Sequence, residues 1–296
     1  MSRIVVTGSS GLIGTALVAA LRERGDEVVR LVRRAPRTVD EVQWDPSSRT
    51  LDPHVLDGVD GVVGLAGAGV GDHRWTPSHK HEILASRTDS TSAVAAAVAT
   101  ADHPVRFVSG SAVGYYGDRG EEEITEASPP GTGFLSDVTC AWEDAAQPAV
   151  EAGASVALIR TGIVMAREGG AMKPLLRLGR LGLGGPLGSG RQFLPWITLP
   201  DEVGAILHLL DHPDVTGPVN LSALVPARQR DIAKALGRAL NRPAVLPAPS
   251  IALHAVLGEF AGEILGGQRI VGDALRDSGY SFIHADLDAA VRWLVA

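Results

Sequence analysis

Three glycines, Gly8, Gly11 and Gly14, recur at intervals of three residues near the start of the chain. They follow a β-branched run at 4–7 and precede apolar residues with helical spacing at 12–24. A strand, a glycine-rich turn and a helix in this order can bind the diphosphate of a dinucleotide, because the turn is tight and the helix begins with free N–H groups. An ordinary strand-to-helix turn is the alternative. We predict dinucleotide contacts from Thr7, Gly8, Ser10, Gly11, Leu12, Ile13 and Gly14.

The residues after the second predicted strand indicate which dinucleotide is bound. An acid at this position hydrogen-bonds the adenosine ribose of NAD(H) and repels the 2′-phosphate of NADP(H). Here the strand at 27–32 is followed by Arg33 and Arg34, and no acid occurs before Asp40. Because guanidinium groups suit a phosphate, we predict NADP(H) as the cofactor, with NAD(H) less favoured. A solvated charged edge without a ligand is the competing interpretation.

Other residue types that could do chemistry are sparse. The only cysteine, Cys140, has no Lys, Arg or His near it in the sequence, and Val138 and Trp142 predict apolar surroundings. We therefore expect an unreactive thiol. The nine histidines show no HExxH spacing and no cysteine partner, so no metal site is predicted.

Alternating strand and helix patterns position these residues. We predict strands at 4–7, 27–32, 59–65, 105–108, 155–159 and 218–221, with helices at 12–24 and 91–101 and a third helix that begins within 134–143 and continues through 142–152. This alternation is typical of a parallel sheet with helices on both faces. The pattern breaks after residue 163. We therefore predict a cofactor-binding domain at 1–165, to which 200–225 returns, and a substrate-side domain formed by 166–199 and 226–296.

Composition excludes several classes of function. The formal net charge is −7 and no basic stripe with interleaved aromatics occurs, which argues against nucleic-acid binding. No signal-peptide pattern and no apolar stretch of about 18 residues is present, so we expect a cytoplasmic protein that does not enter a membrane. A single cysteine excludes an intramolecular disulfide. The sequence is also compatible with a homodimer.

Further motifs occur in a characteristic order along the chain. They are LAGAGVGDHRW (65–75), KHEILASRTDST (80–91), SGSAVGYYG (109–117), FLSDVTCAWE (134–143), RTGIVMAREGGAM (160–172) and LPWITLPDEVGAI (194–206). With the glycine loop, they resemble the extended short-chain dehydrogenase/reductase family, and within it an atypical subgroup with an epimerase/dehydratase-like fold. The resemblance implies an α/β, Rossmann-type doubly wound parallel sheet with a smaller, mainly helical substrate-side domain. Residues from about 244 to 293 resemble that subgroup's poorly characterised C-terminal domain. The resemblance also implies cofactor contacts at Leu65, Ala66, Gly67, Arg87, Ser109, Thr139 and Gly162.

The catalytic set that the resemblance implies is altered in this chain. Typical members carry a Tyr and a Lys four residues apart, and a Ser near the end of the preceding strand. Ser111 matches that Ser, but Leu135 stands in the Tyr position and Thr139 in the Lys position. Leucine cannot transfer a proton, and threonine carries no charge. The usual acid–base pair is therefore absent.

Two further residues are candidates for part of the missing chemistry. Arg87 stands where typical members have an Asn, and its charge could replace that of the Lys. The alternative is a helix-surface Arg paired with Glu82 or Asp89. Tyr116 follows Ser111 on the same loop and could line the substrate cleft, or it could have only a structural role in the turn.

The sequence thus predicts an epimerase/dehydratase-like protein that binds NADP(H). We expect an oxidoreductase or epimerase that acts on a small polar molecule, with Ser111 binding the reacting oxygen. The alternative is a protein that binds NADP(H) without turnover and reports the state of the cofactor to a partner.

Overall fold

A computed structural model describes all 296 residues of the chain. Its strands, in chain order, are β1 (Arg3–Thr7), β2 (Glu27–Val32), β3 (Glu41–Gln43), β4 (Gly61–Gly64), β5 (Arg106–Ala112), β6 (Glu123–Ile124), β7 (Val156–Thr161), β8 (Ile163–Met165), β9 (Phe193–Leu194), β10 (Trp196–Thr198), β11 (Gly217–Leu221), β12 (Ala227–Arg228) and β13 (Arg269–Ile270). Its helices are α1 (Leu12–Arg24), α2 (Pro77–Ala99), α3 (Phe134–Asp144), α4 (Gln147–Glu151), α5 (Met172–Arg180), α6 (Leu199–Asp211), α7 (Gln229–Leu240), α8 (Ser250–Leu257), α9 (Phe260–Leu265), α10 (Asp273–Asp277) and α11 (Leu287–Val295).

Seven parallel strands form the central sheet in the order β11-β7-β5-β4-β1-β2-β3. The chain winds in one direction from β1 through β3, then returns to the other side of β1 with β4. The connections at the carboxyl ends of β1 and β4 therefore diverge, and a crevice for ligands opens between them. The predicted doubly wound α/β fold is confirmed.

Helices cover both faces of the sheet. Helices α1 and α6 pack on one face through a core that includes Leu17, Leu21 and Ile206. Helices α2 and α4 pack on the other face, where the core is built from alanines and valines together with Phe107. The many small residues allow helices to approach the sheet closely, which suits a chain with only 4% aromatic residues.

A third core lies outside the seven-stranded sheet. Helices α5, α7 and α11 share this core with Trp196 from β10. Helices α8 and α9 follow, and they contribute one buried residue, Ala261. No helix is both long enough and apolar enough to span a membrane.

Three secondary-structure predictions need correction. Strand β5 continues to Ala112, because β4 pairs with it as far as Ser109 and β7 pairs with it through Ala112. The helix predicted to begin within 134–143 and to continue to 152 is two helices, which begin at Phe134 and Gln147. Pro148 lies in the first turn of the second, where its missing N–H costs nothing. The helix predicted at 91–101 begins earlier, at Pro77, and the short strand β3 was not predicted.

Candidate functional site

The glycine loop is held close to the rest of the sheet. Gly8 has a φ of +64°, a conformation that L-residues with side chains rarely adopt. A Cβ atom on Gly8 would overlap the carbonyl of Leu65, and one on Gly14 would overlap the carbonyl of Gly8. Gly11 donates its N–H to the carbonyl of Gly8 at 3.0 Å, which closes the turn. Glycine at positions 8 and 14 is therefore required by packing.

The start of α1 has free hydrogen-bond donors. Gly11 is the N-cap and supplies no side-chain acceptor, and no acceptor in the protein meets the N–H groups of Leu12, Ile13 or Gly14. Ser10 and Gly11 are exposed, and Leu12 is half-buried. Unpartnered N–H groups at a helix N-terminus attract anions. This loop therefore fits the diphosphate of a dinucleotide.

Thr7 has a structural role beneath the loop. Its hydroxyl oxygen accepts hydrogen bonds from the backbone N–H groups of Leu65, at 3.0 Å, and Ala66, at 3.1 Å. The side chain is buried, with 1% exposure, so the predicted direct contact of Thr7 with the cofactor is wrong. Instead Thr7 ties the loop after β4 to the loop after β1. Gly67, which follows Leu65 and Ala66 in the loop after β4, is exposed at the same edge of the sheet.

The two predicted arginines differ in their partners. Arg34 donates two hydrogen bonds of 2.7 Å to the two carboxylate oxygens of Glu41. These bonds, with one from the backbone N–H of Arg37, hold the pKa of Glu41 at about 2. Arg33 is exposed and makes no ion pair. Sequence reasoning missed Glu41 because it lies on the unpredicted strand β3, which brings it beside β2.

Arg87 turns inward. Its Nη1 donates to the carbonyls of Ala68, at 2.9 Å, and Ile83, at 3.0 Å. Its guanidinium lies 5.0 Å from the centre of the Trp142 ring and beside Gly67. Burial lowers its pKa to about 10. No carboxylate pairs with it, so the alternative of a surface ion pair with Glu82 or Asp89 is wrong.

Ser111 belongs to a buried network of hydrogen bonds. Its hydroxyl donates to Oε1 of Glu143 at 2.6 Å, and Glu143 in turn receives two hydrogen bonds of 2.8 Å from Arg160. A buried ion pair of this geometry satisfies both charges. Because the proton of Ser111 is directed at Glu143, its oxygen is left to accept a hydrogen bond. Glu143 and Arg160 were missed as functional candidates, since they lie 17 residues apart with no motif that links them.

Tyr116 and Ser109 do not reach the cleft. The hydroxyl of Tyr116 donates to Oδ1 of Asn220 at 2.7 Å and accepts from Arg160 at 2.9 Å. Its side chain has no exposed surface, and burial raises its pKa to about 12. The predicted catalytic role of Tyr116 is therefore wrong, and its structural alternative fits. Ser109 also has 0% exposure, so a cofactor contact from its side chain is excluded.

Leu135 and Thr139 lie on the face of α3 that packs on the turn at 113–116. Both approach Gly114, where a Cβ atom would lie 3.1 Å from the Cβ of Leu135 and 3.5 Å from the hydroxyl oxygen of Thr139. Thr139 donates its hydroxyl to the carbonyl of Leu135 at 2.6 Å and is 2% exposed. Its hydroxyl proton is therefore not free for a ribose, and Thr139 could contact the cofactor only as an acceptor; its cofactor contact stays a prediction. Cys140 follows, and burial together with Glu143 raises the pKa of its thiol, as expected for an unreactive residue.

An aromatic cluster lies over the carboxyl edge of the sheet. The Trp75 ring lies 4.8 Å from that of Phe134, the first residue of α3, and 5.5 Å from that of Phe260, the first residue of α9. The Lys80 ammonium lies 5.6 Å from the Trp75 ring centre and 5.1 Å from that of Phe134. It also forms an ion pair with Glu259. We call these five residues the roof cluster.

Gly162 marks the end of β7 at the same edge. Its N–H donates to the carbonyl of Leu221 at 3.0 Å, and a Cβ atom there would lie 2.9 Å from the carbonyl oxygen of Pro195. The structure thus brings the accessible predicted residues to the loops at the carboxyl edge: Gly8, Ser10, Gly11, Leu12, Ile13, Arg33, Arg34, Leu65, Ala66, Gly67, Arg87 and Gly162.

Comparison with known proteins gives two family matches. Residues 4–221 match the NAD dependent epimerase/dehydratase family, and residues 248–294 match a domain of unknown function, DUF1731. An epimerase family protein of Mycobacterium tuberculosis is 43% identical over 289 residues, which cover 97% of this chain and 96% of the relative. The human epimerase family protein SDR39U1 is 37% identical over 299 residues, which cover 99% of this chain and all of the relative.

Solved structures agree with these matches. The crystal structure of human SDR39U1 with NADPH superposes with a TM-score of 0.91 at 34% identity, over 99% of this chain and 98% of that one. A nucleoside-diphosphate sugar epimerase from Corynebacterium glutamicum has a TM-score of 0.81 at 34% identity, and 98% of this chain covers 57% of that longer chain. The resemblance inferred from the motifs is confirmed. The chain belongs to the NAD dependent epimerase/dehydratase family, with a DUF1731 domain near its C-terminal end.

Proposed function

We propose that this protein binds NADP(H) and uses it as an oxidoreductase or epimerase of a small polar molecule in the cytoplasm. The observation that carries the proposal is the start of α1, where unpartnered N–H groups of Leu12, Ile13 and Gly14 adjoin an exposed, glycine-lined turn. The solved human relative contains NADPH, which supports the same cofactor here. We assign cofactor binding to 1–165 with 200–225, and substrate binding to 166–199 and 226–296.

Different groups of the protein would bind different parts of the cofactor. The glycine loop would hold the diphosphate, and Arg33 and Arg34 would hold the 2′-phosphate at the end of β2. Arg87 has a charge that no protein carboxylate neutralises, so it would interact with an anionic or electron-rich part of the bound ligands. Ser111 would accept a hydrogen bond from a substrate hydroxyl. When bound, the nicotinamide ring donates or accepts the hydride.

An inactive NADP(H)-binding sensor is the second candidate. Two observations favour it: Leu135 has no proton to transfer, and Thr139 uses its hydroxyl within α3. In a sensor, the cofactor loop and Arg33 would act as they do in the enzyme, and only turnover would be missing. The two candidates are separated by NADPH consumption with a panel of carbonyl compounds and nucleotide sugars. Binding without consumption of NADPH on any of them would favour the sensor.

The cofactor assignment is tested with Arg33→Ala. Arg33 makes no ion pair within the protein. Arg33→Ala should therefore leave the stability of the cofactor-free protein unchanged. We expect NADPH affinity to fall about tenfold, or about 1.4 kcal/mol, and NADH affinity to stay within about twofold. Titration of the cofactor's fluorescence measures both. Arg242→Ala, at an exposed arginine on the C-terminal side of α7, is the control. Equal losses for NADPH and NADH would contradict the assignment.

A further inference from the structure

The roof cluster contains the one lysine near the crevice. Lys80 lies in the first turn of α2, and the roof cluster joins the loop after β4 to the first residues of α3 and α9. Its ammonium group is 5.1 Å from the ring centre of Phe134. Leu135, the next residue, contacts the turn after β5. Lys80 is thus placed above the carboxyl ends of β4 and β5, where ligands of doubly wound sheets bind.

The choice of lysine is unusual for this chain. Of 27 basic residues only three are lysines, Lys80, Lys173 and Lys234. Arginine is the usual choice here for ion pairs and cation–π contacts, as Arg87 on Trp142 and Arg228 on Phe193 illustrate. Lysine differs from arginine in that its amine can give up and regain a proton. A purely structural pair with Glu259 would not require that property.

Few other groups at this edge can donate a proton. The hydroxyl of Ser111 donates to Glu143, and that of Thr139 donates to the carbonyl of Leu135. Tyr116 is fully buried. Tyr115 is the remaining hydroxyl: its ring centre lies 3.5 Å from the guanidinium of Arg160 and it packs on the Tyr116 side of the turn, so Tyr115→Phe is included in the test below.

Lys80 also has a route by which to recover a proton. Its side chain is 29% exposed, and that of its partner Glu259 is 65% exposed. The ammonium group therefore touches protein rings on one side and reaches water through the carboxylate on the other. Such a group can be held in place by aromatic faces and still exchange protons with solvent.

We propose that Lys80 donates a proton to the reacting carbonyl oxygen. Glu259 positions the ammonium group of Lys80, and Lys80 regains its proton from water beside Glu259. This inference rests on the proposed oxidoreductase function. In the direction of reduction, the carbonyl carbon accepts a hydride from the reduced nicotinamide cofactor and the C=O π pair moves onto oxygen. That oxygen takes a proton from Nζ of Lys80. The neutral amine then regains a proton from water beside Glu259, and an alcohol and the oxidised cofactor leave.

The first test compares NADPH-dependent reduction of 9,10-phenanthrenequinone and 4-nitrobenzaldehyde by Lys80→Met, Lys80→Arg and Tyr115→Phe. We expect kcat to fall at least 100-fold for Lys80→Met and less for Lys80→Arg, with the Kd for NADPH unchanged within threefold. Tyr115→Phe and the exposed control Lys234→Met should retain kcat. Full activity of Lys80→Met, or loss only in Tyr115→Phe, would overturn the role of Lys80 and leave the oxidoreductase proposal intact. No turnover by the unaltered protein on these compounds or on any member of the panel of carbonyl compounds and nucleotide sugars would overturn both.

A second measurement does not depend on activity or on a folded variant. Reductive methylation with formaldehyde and dimethylamine-borane modifies the three lysines, and mass spectrometry assigns each one. Saturating NADPH should slow modification of Lys80 at least fivefold and leave Lys173 and Lys234 unchanged. Equal rates at Lys80 with and without NADPH would show that Lys80 is not beside the bound cofactor, and would overturn the inference.

Discussion

At the scale of single residues, the clearest feature is the pairing of Arg34 with Glu41. An acid beside the adenosine ribose normally favours NAD(H), yet here Glu41 is neutralised by two hydrogen bonds of 2.7 Å from Arg34. Arg34→Ala should therefore do two things: it removes a cation, and it leaves Glu41 paired only with Arg30, whose Nη2 lies 3.1 Å from Oε1, so that the less fully neutralised carboxylate repels the 2′-phosphate. We expect NADPH affinity to fall more than tenfold, or by more than about 1.4 kcal/mol.

The double variant Arg34→Ala with Glu41→Gln separates these two effects. If repulsion by the carboxylate contributes, the double variant should recover part of the NADPH affinity that Arg34→Ala loses. Isothermal titration with NADPH and NADH measures the recovery, and NADH should change little across the set. A double variant that binds NADPH no better than Arg34→Ala would limit Glu41 to a structural role.

Single residues also show where the sequence was insufficient. The glycine spacing predicted the loop at 8–14, because the local turn and helix start require those glycines. The burial of Ser109, Thr139 and Tyr116 could not be predicted. Their burial depends on contacts with residues that are distant in the sequence. Asn220, for example, accepts a hydrogen bond from Tyr116 and lies 104 residues from it.

At the scale of elements, the first turn of α6 contains a buried acid. Glu202 has 0% exposure, its Oε1 accepts a hydrogen bond from Thr161 at 2.8 Å, and its Oε2 has no partner. Burial raises its pKa from 4.5 to about 8. The folded state therefore holds a proton between these two pH values that the unfolded state has lost. The contribution of Glu202 to stability must then decrease as pH rises from 4.5 to 8.

Glu202→Gln should remove this dependence, because the amide keeps the neutral shape and cannot ionise. We expect similar thermal midpoints for the two proteins near pH 5, and a midpoint several degrees higher for the variant at pH 8. Calorimetry at intervals of half a pH unit measures the difference. The exposed Glu151→Gln is the control and should follow the unaltered protein. A constant difference between Glu202→Gln and the unaltered protein across this range would contradict a protonated Glu202.

Element boundaries also explain what the sequence predicted well. Six of the strands in the central sheet were predicted near their positions, since short apolar or β-branched runs are local signals. The extension of β5 through Ser109 and Ser111 was missed, because serine and glycine are poor strand formers by themselves. Pairing with β4 as far as Ser109 and with β7 through Ser111 and Ala112 overrides that preference.

At the scale of the whole molecule, the fold was predictable and the closure of its crevice was not. Alternating strands and helices predict a doubly wound sheet whatever the loops contain. The contact of Lys80 with Glu259, in contrast, joins residues 179 positions apart and leaves no periodic pattern in the sequence. The roof cluster as a whole likewise leaves no periodic pattern in the sequence. Its role in joining the sheet edge to the C-terminal helices is an outcome of the folded structure.

This arrangement predicts that Trp75 controls how firmly α8 and α9 are attached. Helix α8 has no buried residue and α9 has only Ala261, so their own cores contribute little to their stability. Trp75→Ala removes ring contacts to Phe134 and Phe260 and the indole hydrogen bond of 2.8 Å to the carbonyl of Val70. We expect amide hydrogens at 250–265 to exchange at least tenfold faster, while those of β1, β4 and β5 keep their rates.

Hydrogen exchange followed by mass spectrometry measures both regions in one experiment. Leu246→Ala, at a half-exposed leucine before α8, is the matched control and should leave both regions unchanged. Faster exchange throughout the central strands would mean that Trp75 supports the whole fold. Unchanged exchange at 250–265 would mean that the loop contacts of Gln192 and Gln268 hold these helices instead. Faster exchange confined to 250–265 would show that the cover of the crevice opens independently of the sheet, which a site that admits substrate from solvent requires.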